Sequence, residues 1–407
     1  MAIGSSAISV LRNRDFRLYA LSTLLYSLAA EVLVVAISWR IYAISHDPFD
    51  LALLGLVQFL PNCLLVLLTG AAADRYPRKR IIAACLSSEF LVVLGIFLTV
   101  LAQSHQVWPV LILVFALGVG RAFFNPASLA MAPALVEREQ LPAAIACSTA
   151  SWQLSMIGGP ALGGMLYGIS PIAAFATCLG MVLLALFSVL GIRKKEAPKP
   201  KEPRSLDAML GGFRFILREK VVLGAATLDL FAVLLGSTTA LLPMFAADIL
   251  AGGPFALGLL RAGVGIGALI MSLYLGLRPI KRKAGPIMFA TVAVFALGTI
   301  AFGLSHWIGV SIAALIVMGA SDMISVFIRE VLIQLWTPDS LRGRVNAVYM
   351  MLVSASNELG TFRAGTSAKF FGPVVATVAG GVCTLAVAAL WYRWFPQLRN
   401  ADDLTAA

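Results

Sequence analysis

The chain has 407 residues, 60% of them hydrophobic and only 13% charged, with a mean hydropathy of +0.91. No soluble domain of that length needs so much apolar surface, so the composition excludes a water-soluble enzyme or binding module and points to a polytopic helical membrane protein. The net charge of +11 would suit a nucleic-acid surface only if the bases clustered on one face, and they lie instead in short turns between apolar runs.

Met1–Phe16 has no apolar core followed by a small-residue cleavage site, so the first span is expected to direct insertion itself. Twelve apolar spans follow, near 16–44, 51–73, 81–102, 109–131, 144–169, 171–191, 219–247, 254–276, 286–304, 307–332, 345–368 and 372–395. The turns after the odd-numbered spans are short and poor in Lys and Arg. The opposite turns and the tails carry 25 of the 31 bases; the other six are Arg40, Arg121, Arg261, Arg329, Arg363 and Lys369. Under the positive-inside rule both termini are expected in the cytoplasm, and the excess charge faces anionic lipid rather than nucleic acid. Cys63, Cys85, Cys147, Cys178 and Cys383 are scattered through apolar runs and form neither a disulfide framework nor a zinc pattern. They read as buried packing residues.

Between the sixth and seventh spans the chain changes character. Arg193–Arg204 is a Pro/Lys-rich linker. After Ser205, a plausible N-cap, apolar residues at Leu206, Met209, Leu210, Phe213, Ile216 and Leu217 have helical spacing, which predicts an amphipathic helix on the cytoplasmic face. The predicted organisation is a six-span bundle over 1–191, a linker with amphipathic helix over 192–218, and a second six-span bundle over 219–407. The halves echo each other at an offset of about 200 residues, since Gly70–Arg80 has a degenerate partner at Gly276–Lys283.

The turn Gly70-Ala-Ala-Ala-Asp74-Arg75-Tyr-Pro-Arg78-Lys79-Arg80 sets a basic hinge between the second and third spans. It resembles the signature Gly-x-x-x-Asp-Arg-x-Gly-Arg-Arg/Lys of the major facilitator superfamily. Gly70, Asp74, Arg75, Arg78 and Lys79 match, and Pro77 stands where the family has glycine. The resemblance implies a cytoplasmic gate that bridges to the start of the eleventh helix; the alternative is a purely topogenic basic turn. In the fifth span, Gly159, Pro160, Gly163 and Gly164 match the Gly-x-x-x-Gly-Pro-x-x-Gly-Gly motif of proton-coupled exporters, with Ser155 at the earlier glycine position. Small residues four apart also suit a generic helix-packing seam.

Ionisable groups inside spans cost about 2.5–3.5 kcal/mol each on insertion scales and ask for a partner or a wet cavity. Glu31 and Arg121 lie near the middle of the first and fourth spans. An arginine in the fourth helix is typical of the superfamily and is linked there to proton movement, with Asn125 replacing the glycine usual four positions on. Glu31 is the first candidate for a proton carrier, against a static ion pair with Arg121. Asp229 and Glu358 are the coupling candidates of the second half. Gln58, Asn62, Asn125, Gln153, Thr238, Asp322, Arg363 and Arg261 are the cavity candidates, with Arg363 expected to reach Asp229 or Asp322. Arg40 is expected to snorkel or to meet an anionic substrate, Arg329 to serve a gate or structural role, and Glu89 to have a structural partner.

No Gly-x-x-x-x-Gly-Lys-Ser/Thr loop is present, so no nucleotide cofactor is expected and the proton gradient is the implied energy source. Asn13-Arg14-Asp15-Phe16-Arg17, Phe124-Asn125-Pro126-Ala127 and Leu341-Arg342-Gly343-Arg344-Val345 resemble the branch holding siderophore exporters and macrolide efflux pumps. The expected protein is an all-α polytopic membrane protein of the major facilitator fold. It is expected to be a monomeric, non-enzymatic carrier in a bacterial inner membrane, whose partners are the lipid bilayer and a small amphipathic molecule moved outward by alternating access. An uptake carrier, a lysophospholipid flippase or a non-transporting receptor are the alternatives.

Overall fold

The computed structural model describes residues 10–194 and 206–401; the side chains of residues 62, 66, 67, 70, 71, 73, 74 and 206–210 lie outside that description. Asn13 opens α1 (Arg14–Ser45). Its side-chain oxygen accepts from the amides of Asp15 and Phe16, and Asp15 adds a negative charge where the helix dipole favours one. His46 closes α1 in the left-handed region, φ 49°, with its amide donating to the Tyr42 carbonyl. Then come α2 (Pro48–Arg75), α3 (Arg78–Leu101), α4 (Trp108–Leu135), α5 (Leu141–Ile169) and α6 (Pro171–Leu190). The last three carry proline in their first turn, where its missing N–H costs nothing.

The chain resumes with α7 (Leu206–Arg218), α8 (Lys220–Gly236), α9 (Gly253–Leu277), α10 (Ala284–Leu304), α11 (Ile308–Trp336), α12 (Asp339–Phe371), α13 (Pro373–Trp394) and the short α14 (Pro396–Arg399). Among the described residues, ten helical segments are long and apolar enough to cross a membrane. α5 and α12 have the length but not the hydropathy. α5 is diluted by glycine and serine, and α12 carries Asp339, Arg342, Arg344, Glu358, Arg363 and Lys369.

The seventh span, expected near 219–247, is present as one apolar segment, Lys220–Ile249, but its helix is interrupted. α8 stops at Gly236, and a 3-10 turn (Thr239–Leu241), one α-turn (Leu242–Met244) and a π-turn (Phe245–Ile249) follow. Pro243 has no amide to donate back along the helix. The carbonyls exposed by the break find a donor in Arg363, which gives Nε to Leu234 (3.0 Å) and Nη2 to Ser237 (3.1 Å).

The chain divides into two compact units. The first comprises residues 1–46, 57–202 and 253–262, and the second 47–56, 203–252 and 263–407. In the first, Phe16, Tyr26, Leu86, Phe124, Met131 and Val182 belong to one apolar core. In the second, Leu228, Met288, Ile328, Leu332 and Trp391 form the core around α8, α10, α11 and α13. The amphipathic α7 joins the second unit. A side chain at Gly212 would stand 2.7 Å from the Arg344 carbonyl, and Ile216 is buried with Val345 and Tyr349, while Phe213 and Leu217 remain exposed. That helix therefore seals one face against protein and offers the other. The cysteines divide too: Cys85 and Cys178 are buried, but Cys63 and Cys383 are exposed, so burial does not account for those two.

Candidate functional site

Glu31 lies mid-way along α1, half-buried. Its seat is Gly159 of α5, where any side chain would collide with the Cβ of Glu31. One turn further, a β-carbon at Gly163 would meet the Val32 backbone at 3.1 Å, and one at Gly164 would stand 2.5 Å from the Pro254 carbonyl and 2.9 Å from the Cα of Gly258. Gly258 in turn faces the Pro160 carbonyl. The glycines of the fifth-span motif are thus a seam that brings α1 and the first turns of α9 into near backbone contact with α5. The acid placed on that seam interacts electrostatically with two bases, Arg261 first and Arg121 second.

The direct salt bridge of Arg121 is with Glu89 of α3, at 3.8 Å. This differs from the expected pairing of Arg121 with Glu31 and gives Glu89 the structural partner expected for it. The distance exceeds a hydrogen bond, and Glu89 Oε1, Arg121 Nε and Arg121 Nη2 are all buried without one. Tyr26 stacks on Phe124 beside them, ring centroids 3.8 Å apart. The first unit therefore holds two acids (Glu31, Glu89) and two bases (Arg121, Arg261) along one electrostatic chain, with charge balanced and contacts loose.

The second unit holds a tighter group. Asp229 on α8 forms a salt bridge with Arg329 on α11, which also donates Nε to the Tyr349 hydroxyl of α12. Arg329 is 1% exposed and Asp229 5%. Asp322, about two turns earlier on α11, interacts with both charges of the pair. Asp229 and Asp322 line a small pocket with Thr291, Ser321 and Ser325. Arg363 does not reach either aspartate, as expected of it; it is committed to the broken end of α8.

The remaining candidates scatter. Glu358 lies over Gly55, with its Oε2 3.6 Å from where a β-carbon would be. Thr238 is buried at the break after α8. Gln58 and Gln153 are half-buried and Asn125 is exposed. The side chains of Asn62 and Asp74, and Gly70 with them, lie outside the described residues. Arg40 does not snorkel. It is buried, and its Nη2 donates to the carbonyls of Thr99 (2.9 Å) and Ser104 (3.2 Å), closing the end of α3.

Within the first unit, two bases of the hinge tie helix ends together. Arg78 donates to the Ala130 carbonyl of α4 (2.7 Å), and Lys79 to the carbonyls of Leu190 (2.9 Å) and Ile192 (2.6 Å) at the end of α6. These are cations on the negative ends of helices. Arg75 is exposed. Asn13 adds a bond to the Leu135 carbonyl, and Asp15 accepts the amides of Arg193 and Lys194. Sequence reading took Asn13–Arg17 only as a resemblance. Its chemistry is a four-way tie among the ends of α1, α3, α4 and α6. A second fastening went unread: Lys369 to Asp47, 2.8 Å, with the ammonium 5.0 Å above the Phe49 ring.

A family model described as "Transmembrane secretion effector" (MFS_3) matches residues 5–407. Among curated proteins, the chain is 25% identical over 401 residues to the enterobactin exporter EntS of Shigella dysenteriae serotype 1 (strain Sd197) and 26% identical over 409 residues to that of Escherichia coli (strain K12); each alignment covers 97% of this chain and 95% of the relative. Among solved structures, a bacterial homologue of the human lysosomal transporter Spinster superposes with a TM-score of 0.75 at 14% identity, covering 95% of this chain and 97% of that one. A D-xylose–proton symporter superposes with a TM-score of 0.71 at 14% identity, covering 95% and 98%. These structural likenesses establish the fold.

Proposed function

Because this chain belongs to the transmembrane secretion effector family of the major facilitator superfamily, and is therefore a membrane transporter rather than an enzyme, we propose that it exports a small amphipathic molecule in exchange for protons. The substrate class we favour is a siderophore of the enterobactin kind, after the activity named for its full-length relatives. The observation that carries the coupling is Glu31: an acid in mid-membrane, seated on the α5 glycine seam and within reach of Arg121 and Arg261.

The chemistry follows from those neighbours. While Arg121 and Arg261 compensate it, Glu31 stays ionised and its carboxylate oxygens accept hydrogen bonds from the substrate; a proton arriving from the outer side neutralises the carboxylate and displaces the substrate. Once the site faces the cytoplasm the bases again favour the ionised form, the proton leaves and new substrate takes its place. Close helix packing at Gly159 makes the seam sensitive to the state of Glu31, so protonation is linked to helix movement and alternating access. Both termini are assigned to the cytoplasmic side of the inner membrane on the placement of the bases. The assignment of six helices to 1–191 and six to 219–407 belongs to the same reading.

The direction is tested in everted vesicles energised by respiration. Export predicts that enterobactin accumulates inside them and that an uncoupler abolishes the accumulation. Accumulation confined to right-side-out vesicles would make this an uptake carrier, and movement of lysophospholipid in place of enterobactin would make it a flippase.

A further inference from the structure

The group formed by Asp229, Asp322 and Arg329 carries a charge imbalance. Asp229 and Asp322 bring two negative charges to one place, and Arg329 brings a single positive one. The other elements packed there do not correct it. α10 presents Thr291, Val292 and Phe295, and α12 presents Tyr349, while Glu330 on the exposed side of α11 adds acid, not base. A surplus buried carboxylate is costly unless a further counter-charge or hydrogen bonds compensate it.

The pocket between these groups is small, and part of its polar lining makes no hydrogen bond among the described residues. Ser321 and Ser325 line it at 5% and 4% exposure, and neither hydroxyl makes a hydrogen bond among the described residues. A serine in a helix ordinarily returns its hydroxyl to the carbonyl a turn back. Thr291 does so with Met288, at 2.9 Å. The two serines of α11 do not, and with Asp322 they leave three oxygen-bearing side chains open to one small space. Hydroxyl and carboxylate oxygens with one surplus negative charge are the coordination chemistry of a single hard monovalent cation.

We propose that the Asp322–Ser321–Ser325 pocket is a binding site for one monovalent cation, either a proton held on Asp322 or a sodium ion held by its carboxylate and the two hydroxyls. Asp229 stays ionised against Arg329, and Asp322 carries the exchangeable charge. The site is separate from Glu31. Its use as a second coupling site rests on the transport reading above; the binding itself does not.

The test uses purified full-length protein without substrate, so it is indifferent to whether transport is export. In one arm, titration from about pH 8 to about pH 5.5, above the ordinary aspartate value of about 3.9, counts with a pH indicator the protons taken up by wild type and by Asp322→Asn. In the other, equilibrium binding of radioactive sodium is measured on the same two proteins, with choline as the control salt. The expected result is one cation fewer per chain in Asp322→Asn, in the proton arm or in the sodium arm, and the arm that responds identifies the ion. Infrared difference spectra of wild type alone guard against a variant that fails to fold. A protonated-carboxyl band in sodium-free buffer, or a carboxylate band that shifts on adding sodium, is expected. The proposal is overturned if both arms give equal counts for the two proteins, or if wild type shows neither band change.

Discussion

Arg121 in the first unit faces one acid at 3.8 Å with several polar atoms left without hydrogen bonds, whereas Arg329 in the second is fixed by Asp229 and Tyr349 with Asp322 close by. Each arginine lies in a long helix of its unit, and the two environments differ. A pair held at 3.8 Å can exchange partners at small cost, which suits the group proposed above to give up its acid in each cycle. An arginine held by both a carboxylate and a hydroxyl is harder to free, which suits the anchor proposed above beside Asp322.

That contrast is open to measurement. The largest effect expected is at the tight group. Arg329→Ala leaves Asp229 and Asp322 without a counter-charge and should destabilise by about 3–5 kcal/mol, read as a large fall in melting temperature, whereas Asp229→Ala leaves Asp322 facing Arg329 and should cost less. A double-mutant cycle over Asp229 and Arg329 should return a larger coupling energy than one over Glu89 and Arg121; equal couplings would remove the distinction. Tyr349→Phe deletes an acceptor for a charged donor and should cost about 1.5–3 kcal/mol without abolishing binding of substrate, which equilibrium binding can check. Gly159→Ala pushes a methyl into Glu31 and should cost about 1–3 kcal/mol of packing. It should also reduce transport more than the same substitution at Gly168, which has open space around it.

The smallest effect belongs to the fastening outside the helices. Lys369 donates to Asp47 and holds its carboxyl below the usual carboxylate range, chiefly through that hydrogen bond. A depressed value in the folded state means the contribution is whole above the ordinary carboxylate range and disappears as pH falls through the lowered value. The pair is exposed, so Asp47→Asn should cost only about 0.2–1 kcal/mol at neutral pH. The melting curves of variant and wild type should converge in strong acid; a difference that persists there would mean the residue acts other than by charge.

The fold was readable from the sequence because membrane insertion leaves a coarse signal: long apolar runs, and bases sorted to alternate turns. The α5 motif was readable for a related reason, since closely packed helices accept only small residues. Partnerships were not readable. Arg363 lies nearer in sequence to Glu358 than to any carbonyl it serves, and nothing local announces that α8 breaks and exposes Leu234 and Ser237. Glu89 is expected from sequence to have a structural partner, but which one is not legible, because sequence cannot show which way a side chain points from its helix. Asp229 and Arg329 stand 100 residues apart, and only the packing of α8 on α11 brings them together. Pro243, one residue type with a known backbone cost, was the one available sign that the seventh span would not run straight.

Substrate-driven proton movement in everted vesicles, wild type against Glu31→Gln, tests the central assignment most directly. With the gradient reported by a quenched amine dye, enterobactin should release the quench in wild type. It should do nothing in Glu31→Gln, while the variant still folds and binds enterobactin. A full response from Glu31→Gln would contradict the assignment of Glu31 as the coupling group.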